Sequence, residues 1–378
     1  MKKILHIANW YPNEWDGIEG IFVREQFRLF AEVTECRLVN VQVRSGRRWF
    51  EYRRIVYSEA EEGYYVLTKI GSHRVSEIMT TVLLLWALFR SNYRQYDLLH
   101  FHIAYPLLTY YAYWKKLVRL PVLISEHWSA YHFNFYLPAD STKLERIKNI
   151  FRQKLPLITV SRSLLDDIQK FSGTADFPSV VIPNVIDGNY FHYRHGRNSS
   201  GPPRFFMVNV WRPIKKPFAM LEAFAGLASD GKAFELVIGG YGDLLEQMQA
   251  YVRQHGMGER VHFLGKLDKA RIAQELSEAD AYLYSSEYET FSVACAQALS
   301  SGCPLIGPPI PAIMEYSDES ERVAVENNDA VSWEKALLYF MENRERFDHA
   351  VIAKKAQTYF SAERIKRIYA DFLNKIAG

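Results

Sequence analysis

At 378 residues the chain exceeds a typical single core, and with 48% apolar and 24% charged residues it is ordinary globular material, so disorder is excluded and two domains are expected. Cys36, Cys295 and Cys303 match no CxxC or Cys/His ligand spacing, which excludes a disulfide scaffold and a zinc module and fits a reducing cytoplasm. The net charge of +3 hides an asymmetry: residues up to Asn184 carry 24 Lys and Arg against 18 Asp and Glu, and the remainder carries 22 against 25. A basic first half suits an anionic partner, either a phospholipid surface or a phosphate-bearing acceptor, and is equally what scatter in surface charge produces. The opening Met1–Ile7 is interrupted too early for a signal peptide, and the longest apolar run, Val82–Phe89, is far short of the ~20 residues that span a bilayer. The expectation is a soluble protein, or one that sits on a membrane without crossing it.

In chain order, Ile4–Ala8 reads as a buried strand, followed by a loop with Gly17 and Gly20 and a helix over Val23–Ala31. Strands are expected at Leu98–Phe101, Val122–Ser125, Leu157–Val160 and Val180–Asn184, spaced by helices, which implies βαβ units and a parallel sheet. The polar Arg194–Pro203 reads as a connection. The pattern then restarts, with strands at Phe205–Val210, Glu235–Ile238, Val261–Phe263 and Ala281–Tyr284 and a helix over Phe218–Ala228. This is a second doubly wound unit. In the tail, Ile365, Ile368, Tyr369, Phe372, Leu373 and Ile376 fall on one face of an amphipathic helix.

The segment Ser285–Pro304 carries the most chemistry. A strand ends near Ser285, a helix starts around Ser292 as N-cap, and it stops at Gly302 with Pro304 just beyond. The turn presents Glu289 beside free backbone N–H groups at a helix N-terminus, where anionic ligands bind in α/β sheets; Glu289 could alternatively serve only as a helix cap.

With Glu289 as the first Glu and Gln297 where the second belongs, this segment resembles the E-x7-E signature of the family 4 retaining glycosyltransferases (glycosyl transferases group 1). Further matches follow in order over essentially the whole chain. Trp10-Tyr11-Pro12 with Gly17 and Gly20 resembles the family's N-terminal glycine loop, and His100-Phe101-His102 and Ser125-Glu126-His127 resemble its strand ends. Val181–Asp187 is similar to the interdomain "vIPNGvD", and Lys215, followed by Lys216, sits where the diphosphate-binding Lys is expected. Gly239-Gly240-Tyr241-Gly242, Phe263-Leu264-Gly265 and Ala279-Asp280 complete the series.

The resemblance implies a GT-B fold: two doubly wound Rossmann-like α/β domains facing across a cleft, 1–190 on the acceptor side and 204–355 for the nucleotide sugar. A C-terminal helix, 356–378, would cross back to the first domain. It implies a donor linked to UDP or GDP, a glycan or lipid-linked acceptor, retention of anomeric configuration, and neither metal nor resident cofactor. Lys215 would stabilise charge growing on the diphosphate, with the N–H groups of Phe291, Ser292 and Val293 and the Gly20 loop assisting. Glu289 would hold sugar hydroxyls, His127 would lie beside the transferred sugar, and Gly17, Arg212, Gly240 and Gln297 would complete the nucleotide contacts. Three departures stand out. Gln297 makes the ribose contact a neutral amide, Val210 and Asn209 replace an Arg and a Gly with Arg212 two positions on as a substitute cation, and Thr290 replaces a Gly.

Of the other histidines, His6 and His100 are expected to be core residues and His102 is open between core and site. The aromatic Trp128–Pro138 is a candidate acceptor wall or ordinary packing under a lid. Arg44–Arg54, read as a loop, sets Arg47, Arg48, Arg53 and Arg54 among aromatics and suits a phosphate-rich membrane surface or a solvated face; no nucleic-acid module accompanies it. The resulting expectation is a cytoplasmic, peripheral-membrane glycosyltransferase of cell-surface polysaccharide or glycolipid synthesis. The alternatives are a catalytically weak sugar-nucleotide-binding partner subunit and another GT-B enzyme such as a sugar-nucleotide epimerase.

Overall fold

A computed structural model describes residues 2–17, 19–194 and 201–377; most of the connection expected over Arg194–Pro203 lies outside the described residues. The chain forms two compact units, Met1–Val185 with Ile365–Gly378, and Ile186–Arg364.

The first unit holds strands β1 (Lys3–Ala8), β2 (Glu35–Ser45), β3 (Glu51–Val56), β4 (Glu61–Thr68), β5 (Leu98–His102), β6 (Val122–Glu126), β7 (Leu157–Thr159) and β8 (Ser179–Val181). They form one sheet in the order β3-β4-β2-β1-β5-β6-β7-β8. Ile4, Leu5 and Ile7 are fully buried, as a strand covered on both faces requires. The order reverses at β1 and β5, which pair in parallel with Ala8 opposite His102. That reversal is the topological switch point, where open α/β sheets place ligands at the carboxyl ends of their strands.

The expected parallel sheet holds except at its edge strand β3, and the expected loop over Arg44–Arg54 is corrected here. β2 runs on to Ser45, and β3 turns back antiparallel against β4, placing Arg53 opposite Tyr65 and Arg54 opposite Tyr64. β4 is buried along its whole length while β3 is an exposed edge, so charge on β3 faces water and discourages further strand pairing. The helix His73–Arg90 follows this hairpin.

From Ile365 the tail belongs to the first unit. Ile365, Tyr369, Phe372 and Leu373 are buried there. The Tyr369 ring stacks on Phe30 with centroids 3.6 Å apart, its hydroxyl lies 3.1 Å from His100 Nδ1, and Lys2 donates to the Leu373 carbonyl at 2.7 Å. The expected start of this segment at residue 356 is too early. Ala356 and Phe360 are buried in the second unit, where the Phe360 ring packs against Phe291 and Tyr316.

The second unit holds β9 (Arg204–Val210), β10 (Glu235–Tyr241), β11 (Val261–Gly265), β12 (Ala281–Leu283), β13 (Leu305–Gly307) and β14 (Arg322–Ala324). Their parallel sheet has the order β11-β10-β9-β12-β13-β14, so its switch point lies between β9 and β12.

Truncating the stacked, buried ring in Tyr369→Ala should destabilise the protein by about 3–5 kcal/mol in urea denaturation, as large aromatic truncations do. Tyr369→Phe, which removes only the bond to His100, should lose about 1 kcal/mol. Equal losses would mean that the hydroxyl, not the ring, fixes the tail.

Candidate functional site

The second unit's site is built where β9 and β12 end. Trp211, fully buried, fixes the exit of β9: its amide donates to the Tyr241 carbonyl at 2.7 Å and its indole to the Gly239 carbonyl at 2.9 Å. Gly240 sits at φ +109°, and a Cβ there would meet the Asn209 carbonyl oxygen at 1.8 Å, so only glycine lets these chain ends lie together. Pro213 then starts a tight turn, Pro213–Lys215, and Lys216 takes a left-handed φ of 43° before the helix Phe218–Ser229.

This turn aims Lys215 at the loop after β12. Its ammonium donates to Glu289 Oε1 at 2.6 Å, and both side chains are largely shielded from solvent, at 17% exposure each. Ser286 donates to the same carboxylate oxygen at 2.7 Å. Two further bonds fasten loop to turn: Ser285 Oγ donates to the Lys215 carbonyl at 2.6 Å, and the Glu287 amide to the Ile214 carbonyl at 2.9 Å. From behind, Asn328 donates to the Ser285 carbonyl at 3.0 Å, and the Tyr316 hydroxyl to the Phe291 carbonyl at 2.6 Å.

The helix Val293–Ser300 begins at Ser292, but not as a side-chain cap. Ser292 has a left-handed φ of 62° and its hydroxyl makes no capping bond. The first-turn amides of this helix are thus left without a side-chain cap. Gln297 is half-buried on this helix, and its side-chain amide has no partner among the described residues. Arg212 is exposed and likewise forms no ion pair among them.

In the first unit, Gly20 has φ +62° and a Cβ on it would meet the Trp10 carbonyl carbon at 2.4 Å, so glycine is required there. Gly17 has open space around it and no such backbone constraint. His127 follows β6, buried, with its ring 4.5 Å from Phe22 and its Nε2 unpartnered. Glu126 sets its position: the carboxylate accepts from Tyr131 and from the Ala104 amide, both at 2.6 Å, and burial pushes its pKa up to about 7.

His6, His100 and His102 lie beneath, with one ring nitrogen from each within 4.8 Å of the others. Hydrogen bonds knit them together. His6 Nδ1 and His102 Nε2 are 3.0 Å apart, and both His100 nitrogens are engaged, by Ser125 at 2.8 Å and by Tyr369. Burial holds all four imidazoles neutral, with His102 and His127 lowered to about 3 and His6 and His100 well below the ordinary value. His100 is thus a satisfied core residue as expected, whereas His6 Nε2 and His102 Nδ1 have no hydrogen-bond partner among the described residues.

The loop after β6 divides between the two readings of it. Tyr131 and Phe135 pack inward on Phe171, while Trp128, with Asn9, Trp10, Tyr105 and Pro106, lines a cavity of about 240 Å³. Among the arginines, Arg47 and Arg48 are exposed, but Arg53 is bound to Glu51 and Glu14, each at 2.7 Å, and Arg54 to Glu62 at 2.8 Å.

Sequence reasoning placed Ser286 and Glu126 within its motifs without giving them a role, and did not single out Tyr316 or Asn328. Ser286 precedes Glu289 closely enough for a role to have been found; Tyr316 and Asn328 arrive from distant segments with no local signal.

Two doubly wound sheets, with a lysine–glutamate pair at the second one's switch point, define a class that sequence comparison identifies. A model described as Glycosyltransferase Family 4 matches residues 49–189, one described as Glycosyl transferases group 1 matches residues 193–358, and the chain belongs to this family of glycosyltransferases. Glycogen synthase of Mycobacterium tuberculosis is 27% identical over 157 residues, 42% of this chain and 38% of that protein, so the match spans well under half of that relative's length. Sucrose-phosphate synthase from Thermosynechococcus elongatus is similar with a TM-score of 0.76 at 17% identity, covering 100% of this chain and 99% of that one. HepE of Anabaena, solved in complex with UDP-glucose, gives 0.72 at 14% identity over 99% and 100%. These likenesses show the GT-B fold.

The neutral histidines make stability depend on pH. Their folded pKa values lie below 6.5, so under acid the unfolded chain binds protons that the folded chain refuses, and stability falls as pH drops below 6.5, by about 1.4 kcal/mol per pH unit for each such proton. Glu126 runs the other way between about 7 and 4.5, offsetting one of the four. Urea denaturation between pH 6.5 and 5 should therefore show a clear loss of stability, reduced in His102→Gln; a flat profile would contradict neutral burial.

Proposed function

We propose that the protein transfers a sugar from a UDP- or GDP-linked donor to a glycan or lipid-linked acceptor with retention of anomeric configuration. Its setting would be cell-surface polysaccharide or glycolipid synthesis at the inner face of the membrane. The observation that carries this reading is the Lys215–Glu289 pair at the β9/β12 switch point, beside the uncapped start of the helix Val293–Ser300. The UDP-glucose complex of HepE supports a uridine donor.

Breaking the bond from the anomeric carbon to the diphosphate concentrates negative charge on the leaving group. The Lys215 ammonium and the N–H groups at Phe291, Ser292 and Val293 oppose that charge more strongly in the transition state than in the ground state. Diphosphate binding draws Lys215 off Glu289, and the freed carboxylate accepts from sugar hydroxyls. Neutral His127, with one N–H and one lone pair, suits a hydroxyl contact rather than a charge contact. Same-face attack with the leaving phosphate taking the acceptor's proton needs no protein nucleophile. With Lys215 as counter-charge, turnover should survive EDTA.

The unpartnered Gln297 amide and Val210 favour the second reading, a weakly active nucleotide-binding subunit. Calorimetry and turnover on three variants separate the two. Lys215→Ala should lower affinity for the free nucleoside diphosphate by about 1.5–3 kcal/mol, the range for a hydrogen bond to a charged group, and lower kcat as well. Glu289→Ala should leave diphosphate affinity equal or tighter, since Lys215 loses its competitor, while nearly abolishing transfer. Gln297→Glu should tighten nucleotide binding by roughly 1 kcal/mol if the ribose lies there. Equal loss of diphosphate affinity in the first two variants would overturn the assigned roles, and donor binding without turnover in the unaltered protein would favour the weak subunit.

A further inference from the structure

We propose that an exposed apolar groove between β3 and the helix His73–Arg90 docks onto an anionic phospholipid bilayer. Phe50, Tyr52, Ile78, Val82, Leu83 and Trp86 are among the residues lining this groove, whose volume is about 440 Å³. Along the helix, Val75, Ile78, Val82, Trp86 and Phe89 recur at three- and four-residue spacing, which places them on one face. That face is open: Val82 is 63% exposed, Phe89 48% and Trp86 43%, and Trp49 and Phe50 beside it reach 76% and 62%. A contiguous apolar surface of this kind marks an interaction site rather than ordinary scatter.

Charge decides the occupant. The helix carries only Arg74, Glu77 and Arg90 as charged residues, and Glu77 is buried, accepting from Arg146 and Tyr105. The apolar stripe therefore runs between two arginines with no exposed carboxylate. Exposed Arg47 and Arg48 stand directly before Trp49 and Phe50, and Glu51 and Glu62 of the hairpin are engaged with Arg53 and Arg54. Aromatic and aliphatic side chains rimmed by unpaired arginines fit the boundary between acyl chains and phosphates. A second copy of the chain would set arginine against arginine across a two-fold axis. No helix among the described residues is long and apolar enough to cross a membrane, so contact lies in the plane of the surface. The four-arginine surface expected from the sequence is thereby redrawn: Arg47 and Arg48 remain unpaired among the described residues, Arg53 and Arg54 are exposed but neutralised by carboxylates, and the apolar stripe supplies the insertion.

The test is co-sedimentation of the full chain with vesicles of phosphatidylcholine, with and without phosphatidylglycerol, and its readout does not depend on donor binding or transfer. The protein should bind vesicles that contain phosphatidylglycerol. Val82→Glu/Phe89→Glu, at exposed positions, should lower that binding at least tenfold while leaving the thermal unfolding midpoint and diphosphate affinity unchanged. Arg47→Ser/Arg48→Ser should weaken it about fivefold per arginine at low salt, with the difference shrinking as salt rises. No binding by the unaltered protein, or equal binding by the glutamate variant, would overturn the proposal. So would a dimer in sedimentation velocity that the glutamate variant converts to monomer without any vesicle binding, since the face would then belong to a second copy.

Discussion

The ion pair between Lys215 and Glu289 is the contact around which the second unit's loops are arranged. It joins the ends of β9 and β12, the two strands that flank the switch point, and every neighbouring bond supports it. Ser285 and Glu287 tie the loop to the lysine's turn, Ser286 fixes the carboxylate, and Asn328 and Tyr316 brace the loop from behind. A largely shielded pair of this kind adds little to stability, since desolvation offsets much of the attraction, while losing one partner leaves the other charge unanswered. It holds two opposite charges together at the β9/β12 switch point, and the proposed donor chemistry rests on that arrangement.

The first unit follows a different electrostatic logic. Its switch point is lined by imidazoles kept neutral by burial, stacked from His6 through His100 and His102, with Tyr369 of the tail closing one side. A neutral His127 beside Phe22 and the Trp10 and Trp128 rings offers apolar faces and single hydrogen bonds, which suits an uncharged sugar or acceptor better than a phosphate. Each switch point thus carries a distinct chemistry, charged in the second unit and neutral in the first.

The sequence disclosed the parts of this arrangement that depend on local pattern. Apolar runs ending in turn signals located β1, β5, β6, β9, β10 and β12, and the spacing from Glu289 to Gln297 located the helix that carries the site. It did not disclose contacts made by segments far apart in the chain, such as Tyr316 on Phe291 or Asn328 on Ser285. The β3–β4 hairpin was hidden because β3 is an edge strand whose arginines and aromatics do not alternate cleanly. The helix His73–Arg90 was hidden because it is apolar on its exposed face as well as its buried one, which blurs the period that marks a surface helix. The same property leaves that face as an exposed apolar surface. Ser292 looked like a capping residue by type, and only its left-handed backbone, set by the turn after Glu289, shows that its hydroxyl leaves the helix start open.

The most direct test of the central claim is a crystal structure of the protein with UDP-glucose bound. The account predicts that Lys215 Nζ leaves Glu289 for a diphosphate oxygen, that Glu289 accepts from sugar hydroxyls, and that the first-turn amides of Val293–Ser300 face the phosphate. A complex in which Lys215 and Glu289 remain paired at 2.6 Å, with the nucleotide bound elsewhere, would contradict it.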